Sequence, residues 1–309
     1  MQCNILSSSA YEYLKQSLLQ KGKILQNIEV ENKRFPDGER YYRIKKAASL
    51  SGHPAIYICG TINDEAIWEA YNISCTLVRE GCTSLHLVIP YFGYSTMERA
   101  VKEGEVVSAK NIARLFSSIP LSVMGNHIYM VDLHSVGTQY YFEQNIHPVH
   151  LTSEPIIDKI IADIRKKNEN IVLASADMGR AKWIEKLSNK IGIPGAYIMK
   201  RRLSGSKTEV VALNADVKGK NVVIFDDMIR SGTSILHAAE AYKSIGAKNI
   251  YALCVHGIFV DGAVQNIKKS GLIKGIYCTN THAKTQEIQD DFVKVYDISE
   301  IILKGLKCL

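Results

Sequence analysis

The stretch Val222-Val223-Ile224-Phe225-Asp226-Asp227-Met228-Ile229-Arg230-Ser231-Gly232-Thr233-Ser234 admits few folds. Its apolar, mostly β-branched start has no polar alternation, the pattern of a strand buried on both faces in a parallel sheet. Ile235 to Tyr242 then runs at helical spacing until Gly246 can stop it. The small hydroxyl- and glycine-bearing loop between them aims backbone N–H groups and the positive helix end at one spot, which is a seat for phosphate. Asp226 and Asp227 would repel a bare phosphate, so they must face something else. Vicinal hydroxyls donate to carboxylates, and a sugar phosphate fits both halves. An ordinary parallel strand with acidic surface residues at its end is the plain alternative; the loop favours the functional reading.

The rest of the chain repeats the theme. Ala10 to Gln20 reads as a helix and Ile24 to Glu31 as a strand. Arg34 to Arg40 is a charged turn around Pro-Asp-Gly, followed by a strand from Tyr41 to Ile44. Buried strands follow at Ala55 to Gly60 and Leu85 to Pro90, with a helix between them that Asn63 or Asp64 caps. Ser108 opens a helix through Phe116, and Ile128 to Leu133 is a strand ending in Asp132-Leu133-His134. Near Asn145 to Leu151 the pattern restarts, with Ile156, Ile157, Ile160, Ile161 and Ile164 forming a helical stripe. A strand from Ile171 to Ala174, a helix from Trp183 to Ile191 and a strand from Tyr197 to Met199 lead to Lys200-Arg201-Arg202-Leu203-Ser204-Gly205-Ser206-Lys207, read as a flexible basic loop. Strands near Ile250 to Val255, Ile273 to Cys278 and Val293 to Tyr296 and a helix from Ser299 close the chain. This alternation means an α/β architecture with mostly parallel sheets flanked by helices. The restart places a boundary near residue 148, giving domains 1–148 and 149–309, and the similar halves hint at duplication.

Length and composition exclude several classes. At 309 residues the chain suits two domains, and 46% hydrophobic with 22% charged residues is ordinary for a globular protein. The start lacks a signal-peptide pattern, and no apolar run is long enough to cross a membrane. Seven scattered cysteines without a Cys-x-x-Cys pair read as buried, reduced thiols in a cytoplasmic protein. The net charge of +7 is spread along the chain, with no basic stripe interleaved with aromatics, so it does not argue for nucleic acid. It is compatible with handling phosphates. No Walker-type glycine-lysine loop occurs.

Several stretches together resemble one family, the ribose-phosphate pyrophosphokinases. In order they are Phe35-Pro36-Asp37-Gly38-Glu39, Ile62-Asn63-Asp64, Ile89-Pro90-Tyr91-Phe92-Gly93-Tyr94, Asp132-Leu133-His134, Asp177-Met178-Gly179, Lys200-Arg201-Arg202 and the sugar-phosphate motif. The resemblance implies two tandem phosphoribosyltransferase-like domains, the last helix packing on the first. It implies transfer of the diphosphoryl group of ATP to ribose 5-phosphate, with Mg²⁺ accompanying ATP. Ribose 5-phosphate would lie on Asp226, Asp227, Arg230, Ser231, Gly232, Thr233 and Ser234. Lys200 and Arg202 would be catalytic, neutralising charge on the transferring group. ATP would meet Phe35, Asp37, Glu39, Thr96, Met97 and Arg99, and the metal His134 and Asp177. A homo-oligomer is also implied.

The departures are informative. Thr96-Met97-Glu98 stands where familiar members carry Arg-Gln-Asp, and looks like the second, plant-type class, which is implied to need no phosphate activation. Lys102-Glu103-Gly104-Glu105 stands where an anion-binding regulatory loop is expected, and its carboxylates would weaken phosphate or ADP binding. Arg230 replaces an acidic residue, Arg180 a glycine, and Thr233 occupies a place expected to need positive φ. A phosphoribosyltransferase and a non-catalytic regulatory homologue are the rival readings.

Overall fold

A computed structural model describes residues 2–22, 24–143, 146–202, 208–213 and 216–306, with the side chains of 199–202 and 208–213 outside the description. In chain order the first strands and helices are β1 (Cys3–Ser7), α1 (Glu12–Lys21), β2 (Leu25–Asn27), β3 (Val30–Arg34), β4 (Arg40–Ile44), β5 (Ala55–Ile58), α2 (Asp64–Arg79), β6 (Leu85–Ile89), α3 (Ser108–Ser117), β7 (Asn126–Val131) and β8 (Ile146–Leu151). Then come α4 (Glu154–Lys167), β9 (Ile171–Ser175), α5 (Ala181–Ile191), β10 (Gly195–Ala196), β11 (Ile198–Arg202), β12 (Thr208–Leu213), β13 (Asn221–Ile229), α6 (Thr233–Ser244), β14 (Asn249–Gly257), α7 (Ala263–Lys269), β15 (Ile273–Thr279), α8 (Thr285–Ile288), β16 (Val293–Tyr296) and α9 (Ser299–Gly305).

The chain forms two units, Met1–Ser153 with Ile298–Leu309, and Glu154–Asp297. The first holds a six-stranded sheet in the order β2-β1-β5-β6-β7-β8, and the second one in the order β10-β9-β13-β14-β15-β16. Every pairing in both sheets is parallel. Each unit adds an antiparallel hairpin, β3–β4 or β11–β12, after its second sheet strand. The order is therefore the same in both, strand for strand. The duplication hinted at by the sequence is a repetition of topology.

The first unit packs Ile67, Ala70, Ile73 and Leu77 of α2 and Ile112 and Phe116 of α3 against Leu85, Leu87, Ile89, Ile128 and Met130. Asn63 caps α2, its side chain accepting from the Ala66 N–H at 2.8 Å, and Asp64 and Glu65 in the first turn complement the helix dipole. On α9, Ser299 accepts hydrogen bonds from Ser17 (3.1 Å) and Lys21 (2.6 Å) of α1. In the second unit Ile235, Ala238, Ala239 and Tyr242 of α6 and Ile267 of α7 cover Val222, Ile224, Ala252, Cys254, Ile276 and Cys278. α4 and α5 join through Lys190, which lies 2.7 Å from Asp158 and also pairs with Glu154. The isoleucine stripe of α4 is buried throughout, each side chain contributing about 2 kcal/mol.

Some elements differ from expectation. Residue 148 lies inside β8, an edge strand, where Pro148 removes no ladder hydrogen bond that a further neighbour would need. The expected single strand from Ile24 to Glu31 is the whole of the short β2 followed by the start of the β3–β4 hairpin. The basic segment expected to be a loop begins as strand: Ile198–Arg202 pairs antiparallel with Thr208–Leu213, Lys200 opposite Val210 and Arg202 opposite Thr208. Cys59, Cys82, Cys254 and Cys278 are buried and free, Cys75 is partly buried and free, and Cys3 is buried. Among the described residues no helix is long and apolar enough to cross a membrane.

One close approach fixes the loop after β6. Gly93 donates its N–H to Thr61 Oγ1 at 2.6 Å, and a Cβ at Gly93 would lie 1.9 Å from the Thr61 carbonyl oxygen. Gly93→Ala should therefore lower stability by about 1–3 kcal/mol or more, measured by urea unfolding. An unchanged midpoint would contradict this packing.

Candidate active site

Because the strands are parallel, β9 and β13 run toward the same end of the sheet; β13 continues to Ile229, while β9 stops at Ser175, paired to Phe225. Two residues further on, Asp177 and Asp227 bring carboxylates there, beside Asp226. Successive strand residues face opposite ways, so Asp226 shares the α6 side with Ile224 while Asp227 shares the other with Phe225. In the ladder Asp226 lies opposite Cys254. Burial, the charge of Asp227 and the charge of Asp177 push the Asp226 carboxyl up to about 7. The same burial, with Cys278 and the acid pair beside it, pushes the Cys254 thiol well up, which keeps it an unreactive thiol. Asp227 is buried and paired to Arg180, Nη2 to Oδ2 at 2.6 Å.

The loop after the acid pair is pinned from behind. Ile258 and Phe259 donate to the Ile229 carbonyl and Val260 to that of Arg230. Arg230, Ser231, Thr233 and Ser234 are exposed, and Gly232 is buried. The left-handed position falls on Gly232 (φ 81°), not on Thr233 as expected, and Thr233 opens α6 without backbone strain. A Cβ on Gly232 would also lie 2.5 Å from Ile267. Ser231 Oγ lies 3.0 Å from Thr233 Oγ1 and accepts weakly from the Thr233 N–H at 3.4 Å. Exposed Arg230 and Ser231 thus lead into α6, whose first turn carries the exposed Thr233 and Ser234 and the backbone N–H groups that favour an anion.

In the first unit, Phe35, Asp37 and Glu39 form the exposed tip of the β3–β4 hairpin. Phe35 N–H donates to the Glu39 carbonyl (2.8 Å), and Glu39 N–H to Asp37 Oδ1 (3.0 Å). Phe35 stacks edge-on with Tyr41 at 6.1 Å. Thr96 is partly buried, and Met97 and Arg99 are exposed. Met97 ties the segment to α3 by accepting from the Ala109 N–H at 3.3 Å. Glu105 turns back on its own loop, accepting from Val101 N–H (2.7 Å) and Lys102 N–H (3.1 Å), which holds its carboxyl below the usual range.

Asp132 is structural, its carboxylate accepting from the Ser153 N–H at 2.9 Å and from the Ser153 hydroxyl. His134 follows, partly buried. Asp177 is exposed and caps the short turn 178–180 through the Gly179 N–H at 2.8 Å. Its oxygen donor suits a hard cation that keeps most of its waters; the imidazole of His134 is a poorer match. Among the described residues no group of three or more His, Cys, Asp or Glu side chains could hold a metal ion. The side chains of Lys200 and Arg202 lie outside the described residues. Sequence reasoning did not assign Arg180 a role, though its departure from a glycine marked it.

Residues 3–119 match the family model described as the N-terminal domain of ribose phosphate pyrophosphokinase, and residues 186–309 the phosphoribosyl synthetase-associated domain. The chain is 32% identical over 259 residues to a ribose-phosphate pyrophosphokinase of Thermococcus kodakarensis, covering 82% of this chain and 86% of that one. It is 30% identical to one of Pyrococcus abyssi, covering 97% of each. The fold matches the crystal structure of phosphoribosylpyrophosphate synthetase from Mycobacterium smegmatis with a TM-score of 0.86 at 22% identity, over 99% of this chain and 98% of that one.

The raised Asp226 carboxyl makes a signed prediction for the substrate-free protein. Between its unfolded value of about 3.9 and its folded value of about 7, the native state keeps a proton that the unfolded chain has released. Stability therefore falls as pH rises through that window. Asp226→Asn should raise the thermal midpoint at about pH 8 and flatten the profile below it. A lower midpoint for the variant at that pH would refute the assignment.

Proposed function

The chain belongs to the ribose-phosphate pyrophosphokinase family, and from that premise we propose that it transfers the β,γ-diphosphoryl group of ATP to the C1 hydroxyl of ribose 5-phosphate, giving phosphoribosyl pyrophosphate and AMP. One observation carries the acceptor half: an acid pair in the last half of β13, followed after Met228 and Ile229 by exposed Arg230 and Ser231 and by the exposed hydroxyls of Thr233 and Ser234 that open α6. The 5-phosphate sits on Arg230, Ser231, Gly232, Thr233 and Ser234, and the ring hydroxyls donate to Asp226 and Asp227. Held at both ends, the sugar presents its C1 oxygen in line with the β-phosphorus. The bond from the C1 oxygen to the β-phosphorus forms as the bond from that phosphorus to the bridging oxygen breaks, AMP departs with that oxygen, and the C1 hydroxyl proton passes to solvent. Positioning of this kind supplies much of the rate in phosphoryl transfer.

The donor is ATP, read by Phe35, Asp37 and Glu39 at the hairpin tip and by Thr96, Met97 and Arg99. Bound Mg²⁺ would neutralise charge on the polyphosphate, with Asp177 and His134 as its protein ligands. Lys200 and Arg202 neutralise the transferring group and the departing AMP. The enzyme works in the cytoplasm as a homo-oligomer.

We assign it to the plant-type, phosphate-independent branch. Thr96-Met97-Glu98 supports this, and so does Glu105, whose carboxylate occupies the Val101 and Lys102 N–H groups and would repel an anion at this loop. A coupled assay for AMP should show full turnover in phosphate-free buffer, with little change on adding phosphate. Turnover that appears only with phosphate would overturn the branch assignment, and no AMP under either condition would favour the regulatory homologue. Lys200→Ala should lower kcat by about 100-fold or more in the same assay; an unchanged kcat would remove Lys200 from the mechanism.

A further inference from the structure

Two contacts bind the start of α5 to the second half of β13. Arg180 pairs with Asp227 at 2.6 Å, and three residues on, the Trp183 ring stacks on Phe225 with centroids 3.9 Å apart and planes 16° off parallel. Residues three apart on a helical turn share a face, as do residues two apart on a strand. One turn therefore meets one strand repeat in two layers, the aromatic stack behind and the ion pair at the sheet's edge. Phe225 is 2% exposed, and the Asp227 and Arg180 side chains are 8% and 23% exposed. The packing of Trp183 sets where the guanidinium can reach, so the pair is not the loose surface kind whose contribution salt and side-chain entropy erase.

The site needs such a cation. Asp177 and Asp227 bring carboxylates, and Asp226 a carboxyl that ionises near neutrality, to the place where a dianionic substrate must settle. A guanidinium that grips Asp227 offsets one of those charges and restricts the rotation of its carboxylate, and a restricted acceptor loses less entropy when hydroxyls dock.

We propose that Arg180 is a positioning residue for the acceptor sugar: braced by the Trp183–Phe225 stack, it fixes the Asp227 carboxylate for the sugar hydroxyls and offsets the charge beside which the sugar phosphate binds. The inference rests on Asp226 and Asp227 being the sugar-binding acids.

The test uses the full chain with wild type, Arg180→Ala and Arg180→Lys, measuring kcat and both KM values, and ribose 5-phosphate binding by calorimetry without nucleotide. For Arg180→Ala the ribose 5-phosphate KM and Kd should rise about tenfold or more, the worth of one charge-assisted hydrogen bond. The ATP KM should stay within about twofold. Guanidinium chloride at about 20 mM should restore much of the loss to Arg180→Ala and do nothing for wild type, an effect that general loosening of the fold would not produce. Arg180→Lys should fall between the two, since lysine keeps the charge and loses the planar fork. Unchanged ribose 5-phosphate binding in Arg180→Ala, or a loss shared equally by both substrates and not rescued, overturns the proposal while wild-type turnover leaves the function standing. A wild type that neither binds ribose 5-phosphate nor forms AMP removes both.

Discussion

Parallel pairing is the constraint on which the rest of this molecule depends. A parallel ladder offers no hairpin return, so each strand is followed by a crossover, and all C-terminal ends arrive at one edge. The crossovers cover both faces, which is why β13 can be apolar on both sides as far as Phe225 and then switch abruptly to carboxylates. Polar groups placed at such an edge are half out of water. Asp226 carries the cost as a carboxyl that holds its proton to near neutrality, and Asp227 avoids it by gripping Arg180.

The elements most legible in the sequence were those whose composition is dictated by burial alone. Strands β5, β6 and β13 announce themselves as unbroken apolar runs, and α4 as a stripe of isoleucines. The strands that went unread sit where burial is one-sided or incomplete. β1 carries Asn4, buried because its side chain donates to the Ser49 carbonyl at 2.9 Å, a partner no local pattern reveals. β8 mixes histidines with Pro148, which only an edge position permits. The strand read from Tyr197 to Met199 runs on through Arg202 as β11, but Lys200 to Arg202 is a basic run that reads as solvated loop, because its pairing lies across an intervening segment. In the site, the acid pair and its loop were visible as chemistry. The exact left-handed residue was not, since Gly232 and Thr233 exchange roles with a shift of one position. Arg180 was visible only as an anomaly, because its partner is forty-odd residues away.

The repeated topology permits a comparison of two equivalent places. The loop after β13 and the loop after β5 follow the same strand of the same order of sheet, and each leads into a helix. One is open, with Ser231, Thr233 and Ser234 exposed. In the other, Thr61 is fully buried, and its hydroxyl accepts from Gly93 and donates to the Tyr91 carbonyl at 3.3 Å. The same strand–loop–helix frame is thus present twice, and in the first unit one buried threonine hydroxyl spends its hydrogen bonds internally.

The helices α4 and α9 each follow the last sheet strand of one unit and belong to the other. For a chain emerging from the ribosome this sets an order of events. The first sheet can form early, but the α1 surface around Ser17 and Lys21 stays uncovered until Ser299 has been synthesised. Nearly the whole second unit is made during that interval. The first unit therefore lacks its last helix until the second has been made, and a nascent chain stalled before α9 would be without the buried Ile301 and Ile302.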